Sequence, residues 1–565
     1  MHRLTRREIL KYGVLAGGSM LLPIGLQERG YAKSGGSPVT RPFTLDFRIP
    51  RVLQPVASDD NSGSNGEQGF EGTDYYVVVQ KPGIQEIIPG YKSAIWGYNG
   101  TFPGSTIKQR KGRRSVVRHI NKLPAGNNFT VHLHGMAALP EYDGYAEDLT
   151  SPGYCKDYIY PNDRAATLWY HDHAIAKTAF NVYQGLAAFY IVQDSFEDSL
   201  PLPKGDRDVP LMIHDKQFNS KGQVIFDDKG HTQVMGDVIT VNGVAWPKMK
   251  VAPRRYRFRV LNGSISRSYR LALSNGDPLY IIGTDAGLKT YASPVKDFRI
   301  GMAERYEVII DFSKYKNSNG IQQVVLKNLD LPINVNYDKT NVIMRFDVDP
   351  SLDATESPDP DGIEALLGQN SGTKSVIREV KQYTPEEIKN AKRVPWRFER
   401  SNSMWVVNGK VWDKDRVDDN PDWKGLEKWE IINSGGGWFH PIHVHLLDQQ
   451  IITRNGRADL VPDYEKGWKD VFYLGPNERM EIIGRYGPHQ GRYMMHCHNT
   501  VHEDHDMMTQ FEVGQGGDDP INAAPRYKIP IDNSGKEIKP WEYDDSLGVR
   551  FPEPCINLDQ YPDYL

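Results

Sequence analysis

The chain has 565 residues, of which 25% are charged and 39% are hydrophobic, and its formal net charge is −4. This balance is typical of folded globular proteins and excludes a disordered, collagen-like or coiled-coil chain. The small negative charge provides no basic field for nucleic acid or an anionic membrane. At roughly 150 residues per domain, the length predicts three or four domains. Only three cysteines occur, which excludes a disulfide scaffold or a cysteine-rich zinc protein.

The first 32 residues have the order of segments found in an export signal. A basic stretch with the pair Arg6-Arg7 precedes an apolar run that begins at Tyr12, and small residues lead up to Ala32. The apolar run is shorter than the roughly 20 residues that span a bilayer. We therefore predict a cleaved twin-arginine signal peptide over residues 1–32 and a bacterial protein in the periplasm or outside the cell. An uncleaved amphipathic N-terminus is the alternative.

Short runs rich in β-branched and aromatic residues alternate with turn residues from Thr44 onward, a pattern that predicts many short strands. A turn signal, a strand and a closing asparagine recur three times, starting at Asn99-Gly100, Asn242-Gly243 and Asn408-Gly409. The copies are 143 and then 166 residues apart, which indicates one β domain present three times. We predict an all-β fold of three consecutive Greek-key β-barrel domains.

Domain boundaries follow from the repeats and from the loose, Pro-rich and Asp-rich connections between them. We expect domain 1 at residues 33–200, domain 2 at 206–350, domain 3 at 375–515 and a C-terminal tail at 516–565. A short helix is expected at 361–367, inside the second connection.

Histidine distinguishes the three copies. The first and third carry His-x-His pairs after the closing asparagine, whereas the second has a Ser-rich segment, 264–269, without histidine. Four such pairs occur in the chain, although 16 histidines in 565 residues would give roughly 0.45 by chance. They are His132/His134, His171/His173, His443/His445 and His496/His498. Because buried unpaired imidazoles are costly, the pairs indicate metal ligands. We expect domains 1 and 3 to meet at a metal site and domain 2 to be structural.

The fourth pair encloses a cysteine. On a strand its two histidines face one way and Cys497 the other, so one strand can serve two metal sites back to back. On the cysteine side, His502 and Met507 follow within ten residues, and His440 can complete the set. A thiolate, two imidazoles and a weak thioether are the ligands of a blue-copper electron-transfer site, whereas a structural zinc site usually has more cysteines.

Eight clustered histidines remain once His440 and His502 are assigned to that site. Same-face neighbours on a strand lie about 7 Å apart, so a His-x-His pair serves two adjacent metals more easily than one. Eight imidazoles suit three coppers in sets of three, three and two. Four coppers in all would store four electrons, the number that reduces dioxygen to two waters without releasing superoxide or peroxide.

These four motifs, in this order, resemble those of the multicopper oxidase family of three cupredoxin-like domains, and the resemblance covers nearly the whole chain after the predicted signal. It implies a type 1 copper bound by His440, Cys497, His502 and Met507. It implies a type 2 copper bound by His132 and His443, and a type 3 copper pair bound by His134, His171, His173, His445, His496 and His498. Electrons would enter at type 1 copper and reach the trinuclear cluster through Cys497 and its flanking histidines.

Several segments are similar to bilirubin oxidases in particular, and the spore-coat laccases share much of them: 143–148, 437–441 and 496–508. This implies an oxidase of phenolic, aryl-amine or bilirubin-like small molecules, with dioxygen as acceptor, as a monomer. The alternative is a cuprous-ion oxidase for copper tolerance, which typically has a methionine-rich insertion, whereas the methionines here are scattered. A non-catalytic envelope protein of this fold would lack copper ligands, which are all present here.

Three further residues are nominated by their positions. Trp438 precedes a type 1 ligand by two residues, where its ring either stacks on a planar donor or only packs. The resemblance nominates Asp143 and Glu503 as acids that supply the protons consumed by dioxygen reduction. Taken alone, either would be interpreted as a solvated loop carboxylate.

The other two cysteines, Cys155 and Cys555, are predicted to form a disulfide. Some fungal laccases tie the corresponding first-domain loop to the C-terminal tail, which implies a bridge that holds residues 516–565 across the body. In the chain-entropy model, closing so long a loop stabilises the fold by about 4 kcal/mol or more. Two separate buried thiols are the alternative.

Overall fold

The structure is a computed structural model that describes residues 36–60, 71–355, 357–369 and 375–528. The predicted signal peptide at 1–32 and Cys555 lie outside the described residues. Within the described ranges, no helix is both long enough and apolar enough to cross a membrane.

The described residues are mostly β-structure, in three groups of strands that follow the chain. Domain 1 has β1 Val52–Leu53, β2 Ala57–Asp59, β3 Thr73–Gln85, β4 Ser93–Tyr98, β5 Thr106–Arg110, β6 Arg114–Asn121, β7 Val131–His134, β8 Tyr154–Tyr160, β9 Ala166–Asp172 and β10 Ala187–Gln193. Domain 2 has β11 Asp208–Phe218, β12 Val224–Ile225, β13 Val238–Val241, β14 Val244–Ala245, β15 Lys248–Val251, β16 Arg255–Asn262, β17 Tyr269–Leu273, β18 Leu279–Thr284, β19 Gly287–Val295, β20 Asp297–Ile300, β21 Arg305–Asp311, β22 Gln322–Asn328 and β23 Val342–Val348. Domain 3 has β24 Lys392–Ser401, β25 Met404–Val407, β26 Leu426–Asn433, β27 His440–Val444, β28 Gln450–Arg454, β29 Val471–Leu474, β30 Arg479–Arg485, β31 Gly491–Cys497 and β32 Met508–Val513, and the tail adds β33 Arg526–Lys528.

Helices are short and lie in the connections. The α-helices are α1 Thr178–Gln184, α2 Ser195–Ser199, α3 Ile363–Leu366, α4 Pro385–Asn390 and α5 Thr500–Glu503. Turns of 3₁₀-helix occur at Pro140–Tyr142, Gly205–Arg207, Ser313–Tyr315, Pro350–Ala354, Ala458–Leu460 and Asp463–Glu465. Helix α3 lies where the sequence predicts a short helix, because Ile363 and Leu366 are apolar and both become buried.

Each group of strands forms two sheets around an apolar core of its own. The sheet orders are β2-β3-β6-β8-β33 with β4 on β3, and β1-β5-β10-β9-β7, in domain 1; β14-β13-β11-β16-β21-β18-β19 with β12 on β11, and β15-β23-β22-β17-β20, in domain 2; β25-β24-β26-β30-β28 and β29-β27-β31-β32 in domain 3. One parallel pair recurs at the same place in all three, as β3 with β6, β11 with β16 and β24 with β26. The predicted all-β fold class is confirmed.

The sequence repeat corresponds to the same hydrogen bonds made three times. Asn99 has a φ of 56°, and its side-chain oxygen accepts from the amide of Val79 at 2.9 Å. Asn242 and Asn408, with φ of 48° and 52°, each accept from an amide of a neighbouring strand at 2.8 Å. Asparagine tolerates this left-handed backbone better than most residues. The closing asparagines also follow one pattern, accepting from the amide two residues ahead and donating to two carbonyls: Asn121, Asn262 and Asn433.

Two segments near the ends of the described chain cross the predicted boundaries. The repeat places residues 43–47 in domain 1, but the amides of Phe43 and Phe47 donate to carbonyls of Trp246 and Lys248 in domain 2, each at 2.8 Å. Likewise β33, from the predicted tail, pairs antiparallel with β8 of domain 1. An edge strand presents unpaired backbone groups, and in both places an extended segment from elsewhere in the chain satisfies them.

Cys155 lies in β8, buried in the core of domain 1, and is opposite Tyr527 of β33 in the strand register. Burial raises the pKa of its thiol to about 12. The tail therefore passes beside Cys155, but Cys555 is outside the described residues, and the disulfide stays a prediction.

Candidate metal centre

Three ligand atoms converge in the core of domain 3. His440 Nδ1 lies 3.4 Å from Cys497 Sγ, His502 Nδ1 lies 3.8 Å from the same sulfur, and the two nitrogens are 3.3 Å apart. All three side chains are buried. With metal–nitrogen bonds of about 2.0 Å and metal–sulfur bonds of about 2.3 Å, ligand atoms around one ion lie roughly 3.3–3.8 Å apart. The spacing therefore fits a single metal ion.

Strand pairing explains why these groups meet. Strands β27 and β31 are antiparallel neighbours whose register sets His443 opposite His496, one residue before Cys497. The Asn499 amide donates to Cys497 Sγ at 3.4 Å. The Cys497 amide donates to the carbonyl of Met507 at 3.0 Å, so the chain returns to the site, and Met507 is fully buried.

The environment of this set suits a metal better than a free thiol. Burial raises the pKa of the Cys497 thiol well above its ordinary value and lowers the pKa of His440 to about 3. The imidazole is therefore neutral, as a ligand must be. A buried thiolate needs a nearby positive charge, which a bound cation would provide.

Eight further histidines lie buried where domains 1 and 3 meet: His132, His134, His171, His173, His443, His445, His496 and His498. Their ring nitrogens include three all-histidine sets, within each of which the atoms lie within 4.8 Å of one another. These sets are His132 with His443 and His445, His134 with His171 and His498, and His173 with His445 and His496. In three of the four pairs the two histidines thus belong to different sets, whereas His443 and His445 share one set and His445 also belongs to a second.

Acceptors hold the outer nitrogens of these rings. Nδ1 of His132 lies 2.6 Å from the carbonyl of Asp143, and Nδ1 of His443 lies 2.8 Å from the carbonyl of Asp470. The carbonyl of the next residue holds Nδ1 of His171 in the same way, at 2.8 Å. A proton on the outer nitrogen leaves the inner lone pair free, which is the tautomer that metal-binding histidines adopt.

Asp143 and Glu503 hold two other rings through their carboxylates. Asp143 Oδ2 lies 2.7 Å from His445 Nδ1, and Glu503 Oε2 lies 2.9 Å from His496 Nδ1. Burial raises the pKa of Asp143 well above its ordinary value. Burial acts in the same direction on Glu503, but His496 and His173 outweigh it and lower its pKa to about 2. Both carboxylates are therefore buried beside the cluster rather than in solvated loops.

The inner nitrogens fit a metal cluster. Among the described residues, His134 Nδ1, His171 Nε2 and both ring nitrogens of His498 are buried without a hydrogen-bond partner. Leaving a buried polar atom unsatisfied costs about 1–3 kcal/mol. Burial lowers the pKa of His171 to about 3 and that of His173 to about 4, so these rings are neutral. Neutral imidazoles directed at shared points are ligands that suit copper.

Domain 2 supplies no histidine to any of these sets but contacts one ligand directly and another through Asp470. Arg305 makes two 2.6 Å bonds to Asp470, and Asp470 Oδ1 lies 3.0 Å from His134 Nε2. At the sulfur-containing set, the carbonyl of Thr232 lies 2.9 Å from His502 Nε2. Sequence motifs do not indicate these residues, because neither an aspartate just before a strand nor a main-chain carbonyl belongs to a recognisable pattern.

Two tryptophans pack against His502. Trp405, which the sequence analysis also missed, stacks on the imidazole with ring centroids 3.7 Å apart. Trp438 stands edge-on to His502 at 5.6 Å and to Trp405 at 5.6 Å, and it is partly buried against the core of domain 3. The structure thus places Trp438 beside the ligand and also in packing contact, and its stacking on a donor stays a prediction.

Fold and site together define a protein of three cupredoxin-like domains whose buried histidine and cysteine sets suit copper. Multicopper oxidase family models match residues 83–196, 207–322 and 380–517. A bilirubin oxidase from Albifimbria verrucaria is 40% identical over 496 residues, 84% of this chain and 82% of its own. A laccase from Bacillus subtilis is 32% identical over 530 residues, 83% of this chain and 98% of its own. The crystal structure of a laccase from Pediococcus acidilactici matches with a TM-score of 0.71 at 29% identity, covering 86% of this chain and 96% of that one.

The chain therefore belongs to the multicopper oxidase family. It is an enzyme, an oxidoreductase that uses dioxygen as acceptor, and the family implies copper ions. The resemblance drawn from the four histidine motifs is confirmed.

Proposed function

We propose that this chain is a four-copper oxidase that takes single electrons from phenolic, aryl-amine or bilirubin-like donors and reduces dioxygen to two waters. The presence of one sulfur-containing set and three all-histidine sets among the buried ligand atoms carries the proposal. Type 1 copper would be held by His440, Cys497, His502 and Met507, and type 2 copper by His132 and His443. The type 3 pair would be held by His134, His171, His173, His445, His496 and His498.

The protein's own residues connect the proposed copper sites by a short covalent path and hold the ligands in place. When bound, the coppers supply the four one-electron steps that dioxygen reduction requires. Cys497 belongs to the sulfur-containing set, and its chain neighbours His496 and His498 belong to two others, so a short covalent path joins them. Burial excludes bulk water from both sites, which suits chemistry with reactive oxygen species.

Protons are the second requirement, because dioxygen reduction to two waters consumes four of them. Asp143 and Glu503 are buried and contact His445 and His496. They therefore lie close enough to the histidine cluster to take part in proton transfer to it. Burial raises the pKa of Asp143 well above its ordinary value, which favours its protonated form. We assign both carboxylates to orienting the imidazoles and to proton supply. With its pKa lowered to about 2, Glu503 is charged at neutral pH and would pass protons on only after accepting them.

Sequence similarity to two relatives supports the proposed class of organic electron donors. The chain is 40% identical to a bilirubin oxidase and 32% identical to a Bacillus laccase. Oxidation of cuprous ion is the second candidate. It ranks lower because the 14 methionines are scattered along the chain rather than gathered in one insertion.

The test compares dioxygen uptake by copper-loaded protein with bilirubin, a dimethoxyphenol and cuprous ion as donors. We expect four coppers per chain and faster uptake with the organic donors. Cys497→Ser is the matched control, expected to bind three coppers and to support no uptake. Fewer than four coppers in the unmodified protein would contradict the ligand assignment, and a strong preference for cuprous ion would reverse the order of donors.

We further propose that residues 1–32 direct export by the twin-arginine route and that the enzyme acts as a monomer in the periplasm or outside the cell. The support is the order of basic, apolar and small residues in the sequence. Replacing Arg6 and Arg7 with lysine keeps the charge but removes the guanidinium pair, so we expect the enzyme to stay in the cytoplasm. Unchanged export would contradict the route, and light scattering that gives twice the chain mass would contradict the monomer.

A further inference from the structure

A second group of potential ligands lies beside His502, outside the buried sets. His231, in the loop between β12 and β13, and His505, just after α5, have ring centroids 3.4 Å apart. His231 Nδ1 lies 2.7 Å from Asp228 Oδ2, and His505 Nε2 lies 3.5 Å from the same oxygen. One imidazole nitrogen from domain 2 and one from domain 3 thus approach the same carboxylate oxygen.

The two distances to Asp228 are close to those between ligand atoms in a coordination sphere. Around an ion with bonds of about 2.0–2.1 Å, tetrahedral ligand atoms lie roughly 3.3 Å apart. The 3.5 Å separation of His505 from Asp228 already matches, and the His231 contact needs to open by about 0.6 Å. The side chains of His231, His505 and Asp228 are 59%, 30% and 25% exposed, so the adjustment meets little resistance and an ion can enter from solvent.

Two hydrogen bonds hold the backbone of the loop that carries His231. Trp405 Nε1 donates to the carbonyl of His231 at 2.7 Å, and the carbonyl of Thr232 lies 2.9 Å from His502 Nε2. The Lys229 ammonium pairs with Asp227 rather than with the carboxylate of the group. A ligand on a fixed backbone loses less entropy on binding an ion, so this exposed group is better prepared than two surface histidines on free loops.

We propose that Asp228, His231 and His505 form a surface binding site for a divalent transition-metal cation of the Zn²⁺ or Cu²⁺ type. Two nitrogens and one oxygen are donors that suit borderline divalent ions, whereas cuprous ion prefers sulfur. The site differs from the four proposed copper positions because it is open to solvent and leaves coordination positions for water. Thr232 joins it to His502 by one hydrogen bond, so an ion there sits beside the proposed type 1 centre. Binding of this ion does not depend on whether the chain is a four-copper oxidase.

The experiment titrates Zn²⁺, which has no redox chemistry, into the copper-loaded full chain and measures heat of binding. We expect one Zn²⁺ per chain. His231→Asn removes the imidazole but tolerates the left-handed backbone at this position, where φ is 67°. Even changes outside the ligand shell cost about 10–100-fold in metal affinity, so we expect His231→Asn to weaken binding at least about tenfold. Asp459→Asn, which removes an exposed carboxylate paired with Arg457 outside this loop, is the matched control and should bind like the unmodified protein.

Anomalous scattering at the zinc edge from crystals soaked in Zn²⁺ then locates the ion. A peak between Asp228, His231 and His505 supports the site. No binding by the unmodified protein, equal loss in the two variants, or a peak elsewhere would overturn it. Copper content and the copper–thiolate absorption of the same samples report separately on the proposed function, because their loss would not affect the zinc result.

Discussion

Asp470→Asn is expected to weaken copper binding between domains 1 and 3 while sparing the Cys497 set. Asp470 is buried, pairs with Arg305 through two 2.6 Å bonds and lies 3.0 Å from His134 Nε2. Removing one partner of a buried ion pair costs about 3–5 kcal/mol. Arg305 would keep its 2.9 Å bond to the carbonyl of Asp285. We therefore expect Asp470→Asn to lower the free energy of unfolding by about 3 kcal/mol, the lower end of that range. Losing an outer contact to a metal-binding histidine lowers affinity about 10–100-fold.

The assay combines copper content after dialysis against graded chelator with urea unfolding of the metal-free protein. Asp157→Asn is the matched control, because Asp157 also makes two 2.7 Å bonds to a buried arginine, Arg118, but belongs to no ligand set. Its side chain is 26% exposed, so its removal should destabilise less and should leave copper in place. Equal copper retention in the two variants would refute the role of Asp470 in positioning His134.

Three other outcomes are expected. Asp143→Asn and Glu503→Gln should keep copper, because an amide oxygen can still accept a hydrogen bond from an imidazole. If the carboxylates carry protons, each variant should slow dioxygen uptake by about 10²–10⁴-fold. Normal uptake by a copper-replete variant would remove that role. Titration of denatured, copper-free protein should find one free thiol, that of Cys497, whereas three would refute the bridge between Cys155 and Cys555. Removing copper with a chelator should lower the Tm, because a ligand that binds only the folded state stabilises it; an unchanged Tm would show that the sites are not filled in the folded protein.

The features predicted from the sequence depend on local chemistry. An Asn-Gly turn needs left-handed backbone, and Asn99, Asn242 and Asn408 all adopt it. A strand presents alternate side chains on opposite faces, and the structure places Cys497 in a different set from His496. Residue type and spacing were sufficient for these expectations because each involves residues that are close in the chain or on one strand.

The residues that hold the ligands from outside depend on how domains pack. Arg305 acts on a histidine of domain 1 through an aspartate of domain 3, and Thr232 acts through a carbonyl that every residue has. The Ser-rich segment of domain 2 lacks histidine, yet Ser266 donates to Asn499 at 2.9 Å, beside the last ligand motif. A domain expected to be only structural thus supports both sites, and no pattern within its own sequence indicates this.

The pairing of β33 with β8 affects the order in which the protein can be completed during synthesis. Arg526 is opposite Lys156, so the two strands are 370 residues apart in the chain. Domains generally fold as they leave the ribosome, but the first domain gains this strand only after nearly the whole chain has emerged. Contacts so distant in sequence also form slowly. The domain that is synthesised first therefore gains its last strand only when synthesis is nearly complete.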